Sequence, residues 1–145
     1  MGPRIGMWVI GALAVCASVH AAPPDLAAGK AAFQKCASCH AVGPAAQGGF
    51  APQLNGIVGR KAGITRDYAY SAVLKNAHFT WTEHNLAGFL RNPSQFVPGN
   101  KMRFWGISDE QQLANLIAYM KTFAPSAPRA AAPVTGTTGG TTAGK

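Results

Sequence analysis

The segment Cys36-Ala37-Ser38-Cys39-His40 constrains this chain more than any other feature. In a C-x-x-C-H motif the two thiols are spaced to add to the two vinyl groups of one haem, and the adjacent histidine is placed to bind the iron. Two covalent links and one iron ligand within a short turn leave a cofactor little freedom. The motif therefore predicts one covalently bound haem c, held by Cys36 and Cys39, with His40 as an axial ligand.

Two other interpretations of the cysteine pair must be weighed. A redox dithiol is typical of a βαβ setting, whereas the sequence predicts helix before Cys36 and a Gly/Pro-rich loop after the motif. A structural zinc ion needs four ligands, commonly from two separated pairs. The third cysteine, Cys16, lies in a removable segment, and His78 and His84 do not have the spacing of a ligand pair. Haem attachment is therefore the favoured interpretation.

The N-terminal segment, residues 1–22, has the features of a secretory signal peptide. Arg4 supplies positive charge, residues 5–17 are apolar but form a run too short to span a bilayer comfortably, and residues 19–21 form a small-residue cleavage site. An uncleaved anchor and acylation at Cys16 are the alternatives. Because the chain is expected to be exported, we expect the mature protein to be periplasmic. Export fits covalent haem attachment, which takes place on the far side of the membrane and requires both thiols to be reduced.

The remainder of the sequence is predicted to form one domain, residues 23–124, followed by a tail, residues 125–145. The tail is rich in Ala, Pro, Thr and Gly without a periodic apolar pattern, so we expect it to be disordered. A domain of this size supports only a modest core. A buried haem enlarges that core, and we expect haem loss to unfold the domain.

Apolar residues at helical spacing predict an all-α fold, because no alternating stretch is long enough to build a sheet. Gly29 on the first helix invites close approach by the last. The expected helices run from about Asp25 to Cys36, from about Asp67 to Asn76, from about Glu83 to Arg91 between the cap Thr82 and the stop Pro93, and from the cap Ser108 to Pro125.

A second axial ligand can be sought among the four methionines. Two lie in the signal segment, and Met120 fits the apolar stripe of the last helix. Met102 lies in a loop, where a methionine is badly placed to fill a helix packing face. A haem iron bound by His and Met has both axial positions filled and exchanges electrons rather than binding substrate. His78 and His84 remain rivals for this position.

The chain is basic, with 13 Lys and Arg, 5 Asp and Glu, and a net charge of +8. The basic residues are spread along the sequence rather than gathered in a run, so nucleic acid is not an expected partner. Lys101 and Arg103 directly flank Met102. A basic rim at that point would steer acidic redox partners towards the haem, and ordinary surface solubility is the alternative explanation.

Further motifs carry a resemblance to a known family. They are Gly59-Arg60-Lys61, Trp81, Asn92-Pro93 and the segment 97–104, VPGNKMRF. In this order and spacing the chain resembles a class I cytochrome c, and it is most similar to the mitochondrial and bacterial c2-type branch. The resemblance covers roughly Gly29 to Phe123. It implies a single small cytochrome c domain whose helices pack around one covalently attached haem.

The resemblance also implies individual roles. Cys36 and Cys39 would form thioether bonds, and His40 and Met102 would be the metal ligands. The carbonyl of Pro52 would accept the histidine ring N–H, which orients the imidazole. Three side chains would donate hydrogen bonds to a haem propionate, and Asn100, which stands where the family has threonine, would keep a propionate contact. The three donors are Arg60, Tyr70 and Trp81.

The function that the resemblance implies is electron transport. We expect an exported, soluble, monomeric one-electron carrier between a respiratory or dehydrogenase donor and a terminal oxidase or other acceptor. It would not be an enzyme, and it would contact membranes only through partner complexes. A haem sensor or peroxidase-like enzyme with labile Met102, and a subunit held permanently in a membrane complex, are the alternatives.

Overall fold

The computed structural model describes residue 2 and residues 22–123. The predicted tail, 125–145, and almost all of the predicted signal peptide, 1–22, lie outside the described residues, and their assignments stay predictions. The described part of the chain forms five helices and no strand, with one isolated antiparallel bridge between Lys61 and Thr80. The helices are α1, Leu26–Phe33; α2, Ala72–Lys75; α3, Glu83–Arg91; α4, Pro93–Phe96; and α5, Glu110–Lys121.

Helix α1 begins where Asp25 caps it. The Asp25 carboxylate accepts hydrogen bonds from the main-chain N–H groups of Ala27 and Ala28, at 2.7 and 3.1 Å. These bonds satisfy donors that the first turn of a helix cannot pair internally. The regular helix ends at Phe33, three residues short of the expected end, and the chain continues as hydrogen-bonded turns as far as Cys39.

Helices α1 and α5 pack directly against each other at Gly29. A Cβ atom placed on Gly29 would overlap the main-chain oxygen of Asn115 and lie 2.8 Å from the Cβ of Tyr119. The ring centroids of Phe33 and Tyr119 lie 5.7 Å apart. The side-chain oxygen of Asn115 accepts the N–H of Asp25 at 2.9 Å, which ties the start of α1 to the middle of α5. The expected close approach at Gly29 is confirmed.

Helix α2 is much shorter than the expected helix at 67–76. Residues 67–70 are engaged in loop contacts instead. The Asp67 carboxylate accepts the N–H of Gly48 at 2.6 Å, and the Tyr70 hydroxyl lies 2.7 Å from the Thr65 hydroxyl. The bond to Gly48 is long-range and the contact with Thr65 is local, and together they hold the segment outside helical geometry, so only Ala72–Lys75 is helical.

Helix α3 has the expected limits and the expected cap, Thr82, whose hydroxyl oxygen accepts the N–H of Asn85 at 3.1 Å. Pro93 does more than stop α3, because it is the first residue of α4. The cap of α5 is Asp109 rather than Ser108. The Asp109 carboxylate accepts the N–H of Gln112 at 2.6 Å, and it takes the place of the cap expected at Ser108.

The core lies among α1, α3 and α5. Two exposed ion pairs join α3 to α5, one between Arg91 and Glu110 at 2.6 Å and one between Lys121 and Glu83. Exposed pairs contribute little to stability, so apolar burial dominates. The apolar core residues with least exposure are Ala62, Ile107, Leu113, Leu116 and Met120. This core also forms one wall of a large cavity.

Candidate haem site

A cavity of about 410 Å³ lies among the helices and the loops that connect them. That volume falls in the range of cofactor pockets. All the predicted site residues line it except Asn100. Most of its wall is apolar, and the apolar side chains that line it include Leu54, Ile57, Leu74, Leu86, Phe89, Leu90 and Met120.

The C-x-x-C-H segment forms a tight turn on the cavity wall. The N–H of Cys36 donates to the carbonyl of Phe33 at 2.8 Å, and the N–H groups of Cys39 and His40 donate to the carbonyl of Cys36 at 3.0 and 2.8 Å. Cys36 is buried and Cys39 is exposed, and their thiols are not joined in a disulfide. Burial raises the pKa of the Cys36 thiol, an effect that nearby Lys35 partly offsets. The turn therefore presents two protonatable thiols and one imidazole to the same cavity.

The His40 ring is held in a fixed orientation by Pro52. Its Nδ1 lies 2.8 Å from the carbonyl oxygen of Pro52, which can only accept, so Nδ1 carries the proton and Nε2 has a free lone pair. Burial lowers the pKa of His40, the Pro52 bond opposes this shift, and the charge of Arg60 adds to it. The imidazole is therefore neutral at neutral pH and can bind iron through Nε2.

Met102 is half-buried and lines the same cavity as His40. Its main-chain N–H donates to the side-chain oxygen of Asn100 at 2.8 Å. The side-chain nitrogen of Asn100 donates to the carbonyls of Pro93 and Val97, at 2.9 and 2.8 Å. The Asn100 amide thus fastens the loop before Met102 to the start of α4 and to its end.

These contacts differ from the propionate contact expected of Asn100. An amide nitrogen carries two hydrogens, and both are directed at main-chain carbonyls. Asn100 also does not line the cavity, whereas its neighbours Lys101 and Met102 do. The structure therefore gives Asn100 a positioning role for the Met102 loop, and its propionate contact stays a prediction.

Arg60 and Trp81 are brought together by the short bridge between Lys61 and Thr80. The N–H of Trp81 donates to the carbonyl of Arg60 at 2.8 Å. The Arg60 guanidinium donates to the carbonyls of Asn55 and Gln53 at 3.2 and 2.9 Å. Since a guanidinium has five donors, others remain for a ligand in the cavity.

Ser71 is a site residue that the sequence did not reveal. Its hydroxyl is buried against the cavity and has no hydrogen-bond partner among the described residues, and it makes no cap bond to α2. Buried hydroxyls are normally paired. Tyr70, the residue before it, lines the same wall. The only sequence signal is the position of Ser71 between Tyr70 and a short helix, which does not distinguish a cap from a ligand contact.

The donor set fits a haem. One part of the wall offers two thiols and an imidazole, a thioether comes from the Met102 loop, and Arg60, Tyr70, Ser71 and Trp81 supply polar groups that a haem carboxylate could accept from. In residues 22–123, no three His, Cys, Asp or Glu side chains are grouped to hold a metal ion. His78 and His84 are exposed and do not line the cavity. The donor set therefore favours Met102 over these histidines and disfavours the zinc interpretation.

Small helical domains with a C-x-x-C-H turn and a methionine in one cavity form the class of c-type haem proteins. The family model described as Cytochrome c matches residues 26–124. The chain belongs to the cytochrome c family, and the expected class I domain of the c2-type branch is confirmed.

Individual relatives and a solved structure support this family assignment. The cytochrome c2 of Blastochloris viridis is 43% identical over 79% of this chain and 91% of the relative. That of Agrobacterium tumefaciens is 48% identical over 72% of this chain and 96% of the relative. The structure of cytochrome c2 from Rhodospirillum centenum matches with a TM-score of 0.65 and 34% identity, covering 70% of this chain and 99% of that one.

Membership of the family establishes three properties. The chain carries one covalently attached haem c, as the motif predicted. It is an electron carrier and not an enzyme. It exchanges electrons with partner proteins. In the described part of the chain, no helix has the length and apolar character needed to cross a bilayer.

Proposed function

We propose that this chain is a soluble, monomeric periplasmic carrier that takes one electron from a respiratory or dehydrogenase donor and delivers it to a terminal oxidase or other acceptor. One observation carries the proposal. His40 and Met102 line the cavity that the two thiols line, so the protein itself would supply two side-chain ligands to a haem iron. A site closed in this way exchanges electrons and has no position for a substrate.

The residues around the site have separate tasks. When bound, the haem supplies an iron that gains or loses one electron. The carbonyl of Pro52 holds the His40 ring, and Asn100 holds the loop of Met102. Cys36 and Cys39 fix the group covalently. The Pro52 bond fixes the imidazole ring, and the Asn100 bond fixes the main chain of Met102, so both ligands would be offered from ordered positions.

The polar wall of the cavity would hold the haem carboxylates. An unpaired buried charge is costly, so each carboxylate needs donors. Arg60, Tyr70 and Trp81 are the proposed donors, as the family resemblance implies, and the unpartnered hydroxyl of Ser71 joins them. Burial lowers the pKa of Arg60, but from a value so high that the group stays charged at neutral pH.

The charge distribution supports acidic partners. Exposed Lys35, Lys101 and Arg103 line the cavity, so the cavity reaches the surface beside them. None of the five acidic residues lines it. A cationic rim there attracts an acidic docking surface and raises encounter rates. The signal-like segment 1–22 and the cytochrome c2 relatives support export to the periplasm.

Carbon monoxide binding tests the closed site. Ferrous protein should not bind carbon monoxide, and ferric protein should show the long-wavelength absorption band of methionine-ligated iron. The variant Met102→Ala should bind carbon monoxide and lose the band, whereas Met120→Leu, which changes another methionine of the same cavity, should keep both properties. Carbon monoxide binding by the unaltered protein would instead favour the sensor or peroxidase-like alternative.

Cell fractionation tests the second alternative, a subunit fixed in a membrane complex. The mature protein should appear in the periplasmic fraction without detergent. Retention in membranes after a high-salt wash would contradict a free carrier, because salt screens the contacts that a transient partner uses.

A further inference from the structure

Trp105 is a large aromatic side chain that packs against none of the residues that the structure describes. It is fully exposed, although it is adjacent to half-buried Phe104, which lines the cavity, and two residues from Ile107, which is 3% exposed. A tryptophan can bury roughly 150–250 Å². Its position next to the cavity rim therefore makes a large apolar surface available at the place where an electron partner must bind.

The backbone on both sides of Trp105 is fixed. Gly106 has φ +99°, and a Cβ atom there would overlap the carbonyl of Arg91 at the end of α3. The N–H of Ile107 donates to the carbonyl of Leu90 at 3.0 Å. On the other side, Asn100 holds Met102. Trp105 is therefore presented from a backbone that loses little freedom on binding, which favours affinity.

The charges near Trp105 select the kind of partner. Lys101 and Arg103 are exposed and lie four and two residues before it in the chain. The ammonium of Lys101 donates to the carbonyl of Ala69 at 2.9 Å and keeps its charge at the surface. We call Lys101, Arg103 and Trp105 the anchor surface. All five Asp and Glu side chains are engaged elsewhere. Asp25 and Asp109 cap helices, Asp67 accepts the N–H of Gly48, and Glu83 and Glu110 pair with Lys121 and Arg91.

The anchor surface is thus cationic with an aromatic centre, and a second copy of the same surface would repel it. Binding energy in protein interfaces concentrates on a few residues, among which Trp and Arg are enriched. A rim of charge sets the encounter rate, whereas a buried aromatic side chain sets how long the complex lasts.

We propose that Trp105 is the apolar anchor of the docking surface, and that its partner is a redox protein with an apolar recess bordered by carboxylates. This inference rests on the proposed carrier function and names the chemistry of the partner. In each encounter the reduced carrier loses one electron and the acceptor gains it. Trp105 does not line the cavity, so we assign it a role in the complex and none in holding the haem.

Steady-state electron transfer tests the anchor with the complete haem protein. A purified bacterial cytochrome c oxidase serves as the protein acceptor and ferricyanide as the small one. Trp105→Ala should raise the KM for the carrier about 10-fold and leave kcat unchanged. The effect should persist at high salt, because an apolar contact is not screened. Trp105→Phe should retain most of the affinity.

Two controls isolate the anchor. Leu26→Ala removes another exposed apolar side chain, on α1 and away from the cavity lining, and should leave KM unchanged. The rate with ferricyanide should be the same for Trp105→Ala and the unaltered protein, because a small ion does not need the anchor. A fall in that rate equal to the fall with the oxidase would contradict a docking role.

Other results would overturn the inference in distinct ways. An unchanged KM in Trp105→Ala at every ionic strength would remove the anchor while leaving the carrier function intact. If the unaltered protein sediments as a dimer and Trp105→Ala as a monomer, then Trp105 binds a second copy of this chain and not a redox partner. An unaltered protein that reacts with ferricyanide but with no protein acceptor would contradict the proposed function, and the inference with it.

Discussion

Asn100 shows how one side chain can determine the position of another. Its amide bonds to the carbonyls of Pro93 and Val97 and accepts the N–H of Met102. The bond between His40 and Pro52 was expected from the family resemblance, and the structure contains it at 2.8 Å. The bonds of Asn100 could not be foreseen, because which carbonyls it meets depends on the path of the loop and not on residue type.

The variant Asn100→Ala should loosen the Met102 loop. It removes three hydrogen bonds, each contributing about 1 kcal/mol, so we expect the free energy of unfolding to fall by roughly 2–3 kcal/mol. The ferric absorption band of methionine-ligated iron should disappear on heating before the helices melt. Parallel thermal scans of that band and of far-ultraviolet circular dichroism check this.

Asn100→Thr is the matched control, since threonine keeps an oxygen acceptor for the Met102 N–H. The temperature at which Asn100→Thr loses the band should lie between those of Asn100→Ala and the unaltered protein. If Asn100→Ala instead loses the band and the helices together, at the midpoint of the unaltered protein, then Asn100 does not hold the loop.

At the scale of the helices, sequence prediction worked where local signals act alone. The limits of α3 were correct because Thr82 caps it and Asn92-Pro93 interrupts it. The start of α5 was one residue off, because Asp109 and Ser108 are both good caps and the chain uses Asp109. Helix α2 was overestimated, since the bond between Asp67 and Gly48 is long-range and overrides helical periodicity.

Gly29→Ala tests the α1–α5 contact. Alanine favours a helix over glycine by about 1 kcal/mol, but its Cβ would overlap the main chain of Asn115. Overpacking of this kind costs about 1–3 kcal/mol and more where backbone cannot yield. We expect a net loss of about 2 kcal/mol in chemical denaturation.

Ala31→Gly is the matched control for helix propensity, because Ala31 is exposed on the same helix. It should cost about 1 kcal/mol. A Gly29→Ala protein that is more stable than the unaltered one would show that propensity dominates and that the helices can move apart.

At the scale of the whole molecule, the haem is part of the core. Without the haem, the cavity of about 410 Å³ leaves its apolar wall exposed to water. An enclosed cavity of that volume would cost at most roughly 10 kcal/mol at about 24 cal/mol per Å³, and even part of that is a large share of the stability of a small domain. The double variant Cys36→Ser, Cys39→Ser cannot attach haem covalently. Once it is freed of haem, it should therefore lack a cooperative unfolding transition in calorimetry. A sharp transition near that of the haem protein would contradict this.

Steering also belongs to the whole molecule. Lys101→Glu with Arg103→Glu should slow electron transfer to the oxidase most at low salt, and the difference should shrink as salt screens the charges. Lys30→Glu with Lys75→Glu makes the same change in net charge at residues that do not line the cavity. Equal slowing by both pairs would assign the effect to net charge and not to the rim.

Mass spectrometry of the mature protein tests the central claim, that one haem is bonded to Cys36 and Cys39. The denatured protein should carry the added mass of one haem, located on the proteolytic peptide that contains residues 36–40, and neither cysteine should react with an alkylating reagent. A peptide without added mass and with both thiols alkylated would contradict the account.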